Sequence, residues 1–432
     1  MGSIVTSKFR IHNAEQFVEA FSEAANSIIY LTIGKNTAFP NDNSPPTPVN
    51  STANVEYTPW RDMYAAKRVN SADVTHAVPR YDWVSGTVYD QYDDQDTNLL
   101  DDDFYVVTDD YNVYKCLFNN NGGASTTKPS GILNNPFQTA DSYIWQYMYT
   151  ISTANALKFL TNDYIPVQTL ASDDGSTQWD VQTAAVDGSI DVILITNAGS
   201  GYFSGNTTVT ITGDGVGATA TVSTSGNPGT ITGITVTNPG SGYTIATVGI
   251  SGAGASATGR AIISPKGGHG ADAIEELCGK YVMLNVRLDG NESNTHSTAN
   301  EFRQVTLVRD PYEYGTSTRA LSSVYRQTFR YTISSPSDDY TLDETVSDGA
   351  NTAKVVEWDD VNNYLFVTLP LNQTFANAAT LTGASSSATG TIVAIANSGL
   401  QPYSGELLYV ENRVPIARAT DQIEDVKLIV QF

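Results

Sequence analysis

The sequence predicts a mainly β protein carrying two small inserted β-modules, and three observations lead there. Across 81–166, short stretches rich in Tyr, Val, Phe and Trp alternate with Asp- and Asn-rich turns, which is sheet-building chain. Between 190 and 263 the chain repeats itself. Ile195-Thr-Asn-Ala-Gly-Ser-Gly-Tyr202 returns as Val236-Thr-Asn-Pro-Gly-Ser-Gly-Tyr243, and Val209-Thr-Ile-Thr-Gly-Asp-Gly215 as Val248-Gly-Ile-Ser-Gly-Ala-Gly254, at spacings of 41 and 39 residues. Each copy alternates β-branched residues with Gly turns and buries apolar surface against its twin. A further stretch, 340–397, shares this grammar: Leu381-Thr-Gly-Ala-Ser-Ser-Ser-Ala-Thr-Gly390 echoes Ile250-Ser-Gly-Ala-Gly-Ala-Ser-Ala-Thr-Gly259. The expected organisation is a core in three parts, 1–171, 264–336 and 399–432, interrupted by a repeat domain at 172–263 and a smaller β-module at 337–398.

In chain order, 4–33 reads as strand, helix, strand. Asn13 is placed to cap the helix with Gln16 answering three residues on, while Phe17, Phe21, Ala24 and Ile28 fall on one face. The loop 40–57 holds Pro40, Pro45, Pro46 and Pro48 and should be extended. A second helix is expected after it, with Thr58 at the N-cap, Pro59 at N1, and Trp60, Met63, Tyr64 and Lys67 at helical spacing. Strands follow at 104–108, 113–118 and 143–151. Trp145, Tyr147 and Tyr149 share one face by the two-residue period, and burial on both faces is expected. Asp272 and Glu275 form a capping pair for a short helix that Gly279 ends, before a strand at 281–288. Val355, Trp358, Leu365 and Val367 are the expected core of the second module. In the terminal segment 404–432, Leu407, Tyr409, Val414, Ile416, Val426, Leu428 and Val430 mark core strands rather than a tail.

Composition narrows the function. The 432 residues suggest two to four structural units. With 23 Lys and Arg against 46 Asp and Glu, the net charge is −23, a surface that repels phosphate backbones, so a general nucleic-acid binder is excluded. Only 16% of residues are charged, so the polarity comes mostly from Gly, Ser, Thr and Asn. No window reaches the ~18 apolar residues of a membrane span, and the N-terminus lacks the pattern of a secretion signal. Met1-Gly2 with Thr6 matches a myristoylation pattern, but one acyl chain would anchor so acidic a protein poorly, and the match reads as accidental.

Motifs for reactive chemistry are sparse in the chain. Cys116 and Cys278 lie far apart with no C-x-x-C neighbour and read as core thiols. There is no G-x-S-x-G elbow, H-E-x-x-H, P-loop or strand-linked G-x-G-x-x-G, and the four histidines, His12, His76, His269 and His296, are scattered. The acidic run Asp90, Asp93, Asp94, Asp96 and Asp101 to Asp103 lacks the order and central Gly of an EF-hand, so a solvated loop is expected there. Gly213-Asp-Gly-Val-Gly217 faintly resembles a Ca²⁺-binding nonapeptide without the tandem copies that architecture needs, and reads as a turn. His269, in Gly267-Gly-His-Gly270, is expected to bond nearby backbone in a turn before the helix. No pair of carboxylates has a spacing that signals sugar hydrolysis.

Six collinear motifs carry a family resemblance. Ile4-Val-Thr-Ser-Lys-Phe-Arg10, Ala77-Val-Pro-Arg80 with Asp82-Trp83, Tyr143-Ile-Trp-Gln-Tyr147, Thr161-Asn-Asp-Tyr-Ile165, Phe302-Arg-Gln-Val305, and Ser404-Gly-Glu-Leu-Leu-Tyr-Val-Glu-Asn-Arg413 through Pro415, Asp421-Gln422 and Phe432 resemble the baseplate wedge subunit of T4-like contractile-tailed phages, the gene-product-eight family. Together the matching regions span more than half of the chain. The resemblance implies a homodimeric structural protein, a layered β-sandwich core with a few flanking helices, that docks onto other baseplate wedge subunits. It implies no enzyme activity and a place in the virion tail baseplate after assembly in the host cytoplasm; from composition and the missing motifs, no cofactor, no metal and no nucleic-acid or membrane partner is expected. The repeat domain, the Gly-Gly-His-Gly segment and the second module depart from the family pattern. What the insertions touch, host surface included, stays open. The alternative is a receptor-binding tail-fibre or adhesin protein holding host carbohydrate through its β repeats. Repeats that interrupt a larger nonrepetitive fold favour the scaffold, and a dimer rather than a trimer in solution would separate the two.

Overall fold

The computed structural model describes residues 5–23, 27–49 and 57–432, and the chain is mainly β, as its composition predicts. It divides into two compact units, one of 75–283 with both chain ends up to 16 and from 429, the other of 17–74 and 284–428.

In the first unit, an antiparallel sheet runs in the order Tyr105–Val107, Asn112–Phe118, Ile144–Thr150, Phe137–Gln138. Its centre is buried on both faces, as expected. The face assignment needs one correction: Trp145 and Tyr147 join a core with Tyr89, Val106 and Tyr114, whereas Tyr149 joins Met148 and Ile151 in a different core with Phe104, Ile165 and Leu277. The register explains it. Tyr114 pairs with Tyr147 but Val113 pairs with Tyr149, so Met148 is an extra residue and the bulge turns the next side chain over. Beside this sheet, Val74–Pro79 pairs antiparallel with Tyr164–Val167.

The repeat forms six strands in this unit. Ile190–Asn197, Thr208–Gly213 and Thr219–Thr224 make the first copy; Ile231–Asn238, Ala246–Ser251 and Thr258–Ile263 make the second. The copies exchange halves. The middle strands pair with each other, while the first strand of each copy pairs with the last strand of the other. The repeated tyrosines lock this exchange. The Ala257 amide donates to the Tyr202 hydroxyl at 3.2 Å and, 39 residues earlier, the Ala218 amide donates to Tyr243 at 3.3 Å. A Cβ on Gly254 would sit 2.5 Å from the Tyr202 ring and one on Gly215 2.4 Å from the Tyr243 ring, so the repeated glycines are required by close approach. Two small cores, around Ile190, Ile193 and Tyr243 and around Tyr202, Val222 and Ile231, lie wholly within the repeat. Val192 and Ile262 point the other way and join the large core of the unit.

In the second unit, a five-stranded antiparallel sheet has the order Val324–Arg326, Met63–Arg68, Ile29–Gly34, Phe302–Arg309, Glu406–Ile416. The second unit also holds a closed barrel ordered Phe329–Ser334, Tyr364–Thr368, Thr352–Asp359, Thr345–Ser347, Thr380–Gly383, Thr389–Ala396. It starts earlier than the sequence suggests, because Phe329–Ser334 closes it. Val355, Leu365 and Val367 are in its core as expected; Trp358 packs against that core and its Nε1 donates to Asp339 at 2.8 Å.

Two elements near the N-terminus differ from expectation. Residues 7–10 are helical, not strand: Ser7–Glu19 is one helix, with the Thr6 hydroxyl accepting the Phe9 amide at 3.3 Å, so Thr6 does the capping and Asn13 is internal. Ala24 and Ile4 lie outside the described residues. The second helix is only Tyr57–Asp62; Met63–Arg68 is a strand bonded on both edges, and Met63, Tyr64, Ala65 and Ala66 are all buried there, so tertiary pairing overrides the helical spacing. Asp272 caps Ala273–Glu276 by accepting the Glu275 amide, and the Gly279 amide closes the end on Ile274, as expected; the expected capping pair is corrected in one partner, since Glu276 rather than Glu275 accepts the Asp272 amide, at 3.2 Å. In the terminal segment Val426 and Leu428 are buried, but Leu407, Tyr409 and Ile416 are half-buried and Val414 is 51% exposed, because Glu406–Ile416 is the edge of its sheet.

Candidate functional site

A buried group of ionisable side chains in the first unit brings His269 together with Lys115, Asp191 and Glu276, three residues that no sequence motif marks. Lys115, in the centre of Asn112–Phe118, is wholly buried; its ammonium is paired with the Glu276 carboxylate and lies 4.6 Å from the centre of the Tyr92 ring. The second oxygen of Glu276 accepts the amides of Gly270 at 2.8 Å and Asp272 at 3.2 Å. The His269 ring stands edge-on to Tyr92 with centroids 4.9 Å apart, and its Nε2 is 3.9 Å from Oδ2 of Asp191, which also accepts the Ser189 hydroxyl at 2.7 Å.

Burial governs the charges. It pushes the Lys115 pKa down against the pull of Glu276, and raises that of Asp191. It also holds His269 well below 6.5, helped by the Lys115 charge, so the imidazole is neutral. The expectation that His269 bonds nearby backbone is corrected: its Nδ1 has no partner among the described residues. The surrounding glycines do form the expected turn, since a Cβ on Gly268 would lie 2.4 Å from the Val186 backbone. The buried cation pair thus ties 112–118 to 269–276, and 189–191 lies against the same cluster through the approach of Asp191 to the neutral His269 ring. The sequence signal was a lysine at the middle of a strand otherwise apolar on both faces.

The other candidates resolve into structural roles. In the acidic loop, Asp93 and Asp94 hold Arg260 of the repeat, and Asp101 pairs with Lys280 at 3.1 Å. Asp90 has its pKa raised, by burial first and then by the bond and charge of Asp103. Asp214 accepts the Thr244 and Ile245 amides at 2.9 and 3.0 Å and the Thr244 hydroxyl, which lowers its pKa and makes it the cap of a turn. Among the described residues no group of three or more His, Cys, Asp or Glu is arranged to hold a metal ion. Cys116 and Cys278 are buried free thiols whose pKa burial raises. His12 is exposed on its helix, whereas His76 is buried against the Gly279 carbonyl at 3.1 Å. His296 is buried in the second unit. No described helix is long and apolar enough to cross a membrane.

Comparison with protein-family models and with curated protein sequences finds no match for this chain.

Proposed function

We propose that this protein is a structural subunit of a phage tail baseplate wedge, a homodimeric scaffold that links other wedge proteins. The observation that carries the reading is the way its family-like motifs meet. Ala77-Val-Pro-Arg80 pairs strand to strand with Thr161-Asn-Asp-Tyr-Ile165: Val78 faces Ile165, Pro79 faces Tyr164, and the Arg80 amide donates to Asp163 at 2.8 Å. Phe302-Arg-Gln-Val305 pairs with the C-terminal motif, Val305 facing Glu411 and the Gln304 side chain donating to Asn412 at 2.8 Å. Motifs far apart in sequence therefore build common sheets in both units, which is what a shared framework requires, while the two modules add to it. The Lys115–Glu276 pair, wholly buried and bonded to backbone amides, fits anchoring rather than catalysis.

The test is to raise an antibody to the chain and label intact virions for electron microscopy. Label at the host-facing end of the tail supports the proposal; label along the fibres, or none on virions, overturns it. Light scattering on the purified protein gives the second reading: a dimer supports the scaffold and a trimer favours the adhesin.

A further inference from the structure

The outer face of the barrel carries a cleft of about 710 Å³, within the roughly 300–1,000 Å³ of small-molecule sites. Its wall is formed by strands Phe329–Ser334, Thr352–Asp359 and Tyr364–Thr368, and its rim by 291–298, all in the second unit. Two guanidinium groups lie in it on aromatic rings, Arg326 at 3.9 Å from the Phe366 centroid and Arg330 at 4.3 Å from that of Tyr364. They differ in partners. Arg326 is satisfied by Glu357 at 3.1 Å and by the Asn294 carbonyl at 2.9 Å. Arg330 makes no ion pair or side-chain hydrogen bond among the described residues, although Glu357 and Asp359 line the same cleft and the chain carries 46 acids. Asp359 is occupied with Val361 and Asn362 of its own turn.

Two further polar groups of the lining are unpartnered. Thr328, 2% exposed, has a hydroxyl with no partner among the described residues, and so has Nδ1 of His296, 1% exposed. The His296 ring is held neutral by its burial, so this unpartnered Nδ1 calls for a ligand group that can donate to it or accept from it, which a hydroxyl does in either sense. The site therefore asks for two things at once. A planar guanidinium held flat on a ring fits a carboxylate with two parallel bonds; an unpartnered imidazole nitrogen and a threonine hydroxyl fit ligand hydroxyls, which a bare inorganic anion does not supply. On the rim, the Asn397 amide offers a donor and an acceptor of the same kind, while Asn291 and Asn294 are bonded to each other at 2.6 Å.

We propose that this cleft binds an acidic saccharide, its carboxylate on Arg330 and its hydroxyls on the His296 and Thr328 side of the lining. The proposal stands on the second unit alone and does not depend on the wedge reading.

Calorimetric titration of the full chain tests it with three probes: digalacturonate, the neutral disaccharide cellobiose, and sodium sulfate. Digalacturonate should bind at least tenfold more tightly than either of the others. In Arg330→Gln its affinity should fall at least tenfold, and in Thr328→Val severalfold, with thermal unfolding midpoints unchanged. Absence of digalacturonate binding overturns the proposal, as does equal affinity for sulfate, which would make this a bare-anion site, or equal affinity for cellobiose. Unchanged affinity in a folded Arg330→Gln protein also overturns it. Should either variant fail to fold, the ranking of the three probes on the unaltered chain decides alone.

Discussion

The two Gly/Ser/Thr-rich modules bring six strands together in different ways, and the difference shows what each depends on. The barrel closes on itself around one core of fully buried side chains, from Tyr331 and Ile333 through Val355, Leu365 and Val367 to Ile392. The repeat does not close; it is a four-stranded and a two-stranded sheet, joined by exchanged halves, whose strands read half-exposed residue by residue. Its buried positions are split between two small cores, and one strand pair leans on the rest of its unit through Val192 and Ile262. Similar composition thus supports a self-contained module in one case and an anchored one in the other.

The sharpest way to break the comparison is to release the anchor. Lys115→Met leaves Glu276 buried without its cation, and breaking a buried pair costs about 3–5 kcal/mol. Urea unfolding of the variant should show that loss, and proteolysis within 190–263 should quicken while the barrel stays resistant. Adding Glu276→Gln, which keeps an acceptor for Gly270 and Asp272, should recover most of the stability. Unaltered proteolysis of the repeat in Lys115→Met would show that the cluster anchors nothing.

The next largest effect belongs to the barrel. Leu365→Ala, at a wholly buried site in a single core, should cost about 3 kcal/mol through lost transfer energy and the cavity left behind. Protease sensitivity should then appear in 329–396 and leave the repeat untouched, the mirror image of Lys115→Met.

Acid separates the modules from their surroundings, since neither 190–263 nor 329–396 contains a histidine. In the second unit, burial and then the charges of Arg418 and Lys67 pull the His296 pKa down to about 3. The unfolded chain takes up that proton below about 6.5 and the folded chain does not, so stability is lost as pH falls through that window. From pH 6.5, where the unfolded imidazole is half protonated, to pH 5 the loss is about 1.6 kcal/mol. His296→Gln should flatten the urea midpoint over that range by this amount; an unchanged slope would mean that the imidazole is solvated.

Strand regions and the repeat were legible in the sequence because alternation and self-similarity are local signals. Two-sided pairing of Met63–Arg68 was not, since nothing within 58–67 announces the strands at 29–34 and 324–326 that claim its backbone. Nor was the bulge at Met148, which depends on the partner strand. The candidate sites show the same limit. His269 drew notice through its glycines, but Lys115, Asp191 and Glu276 come from three separate stretches, and Arg330 is distinctive only for the carboxylates that do not reach it.

The smallest effect is also the finest probe of the repeat. Tyr202 and Tyr243 make equivalent bonds in the two exchanged halves, so Tyr202→Phe and Tyr243→Phe each remove one hydrogen bond, worth about 1 kcal/mol. The halves differ in one respect. Tyr202 is held by the turn leading into Thr258–Ile263, whose pairing with Ile190–Asn197 carries Val192 and Ile262 in the large core; Tyr243 is held by the turn leading into Thr219–Thr224, which has no such backing. Local opening should therefore respond more where nothing else holds the strands. Amide exchange in Thr219–Thr224 and Ile231–Asn238 should accelerate about fivefold in Tyr243→Phe, the factor that ~1 kcal/mol gives, while exchange in Ile190–Asn197 and Thr258–Ile263 should change less in Tyr202→Phe. Equal acceleration in both halves would mean that the apolar backing adds nothing to the strand pair it covers, and the repeat would then be as self-contained as the barrel.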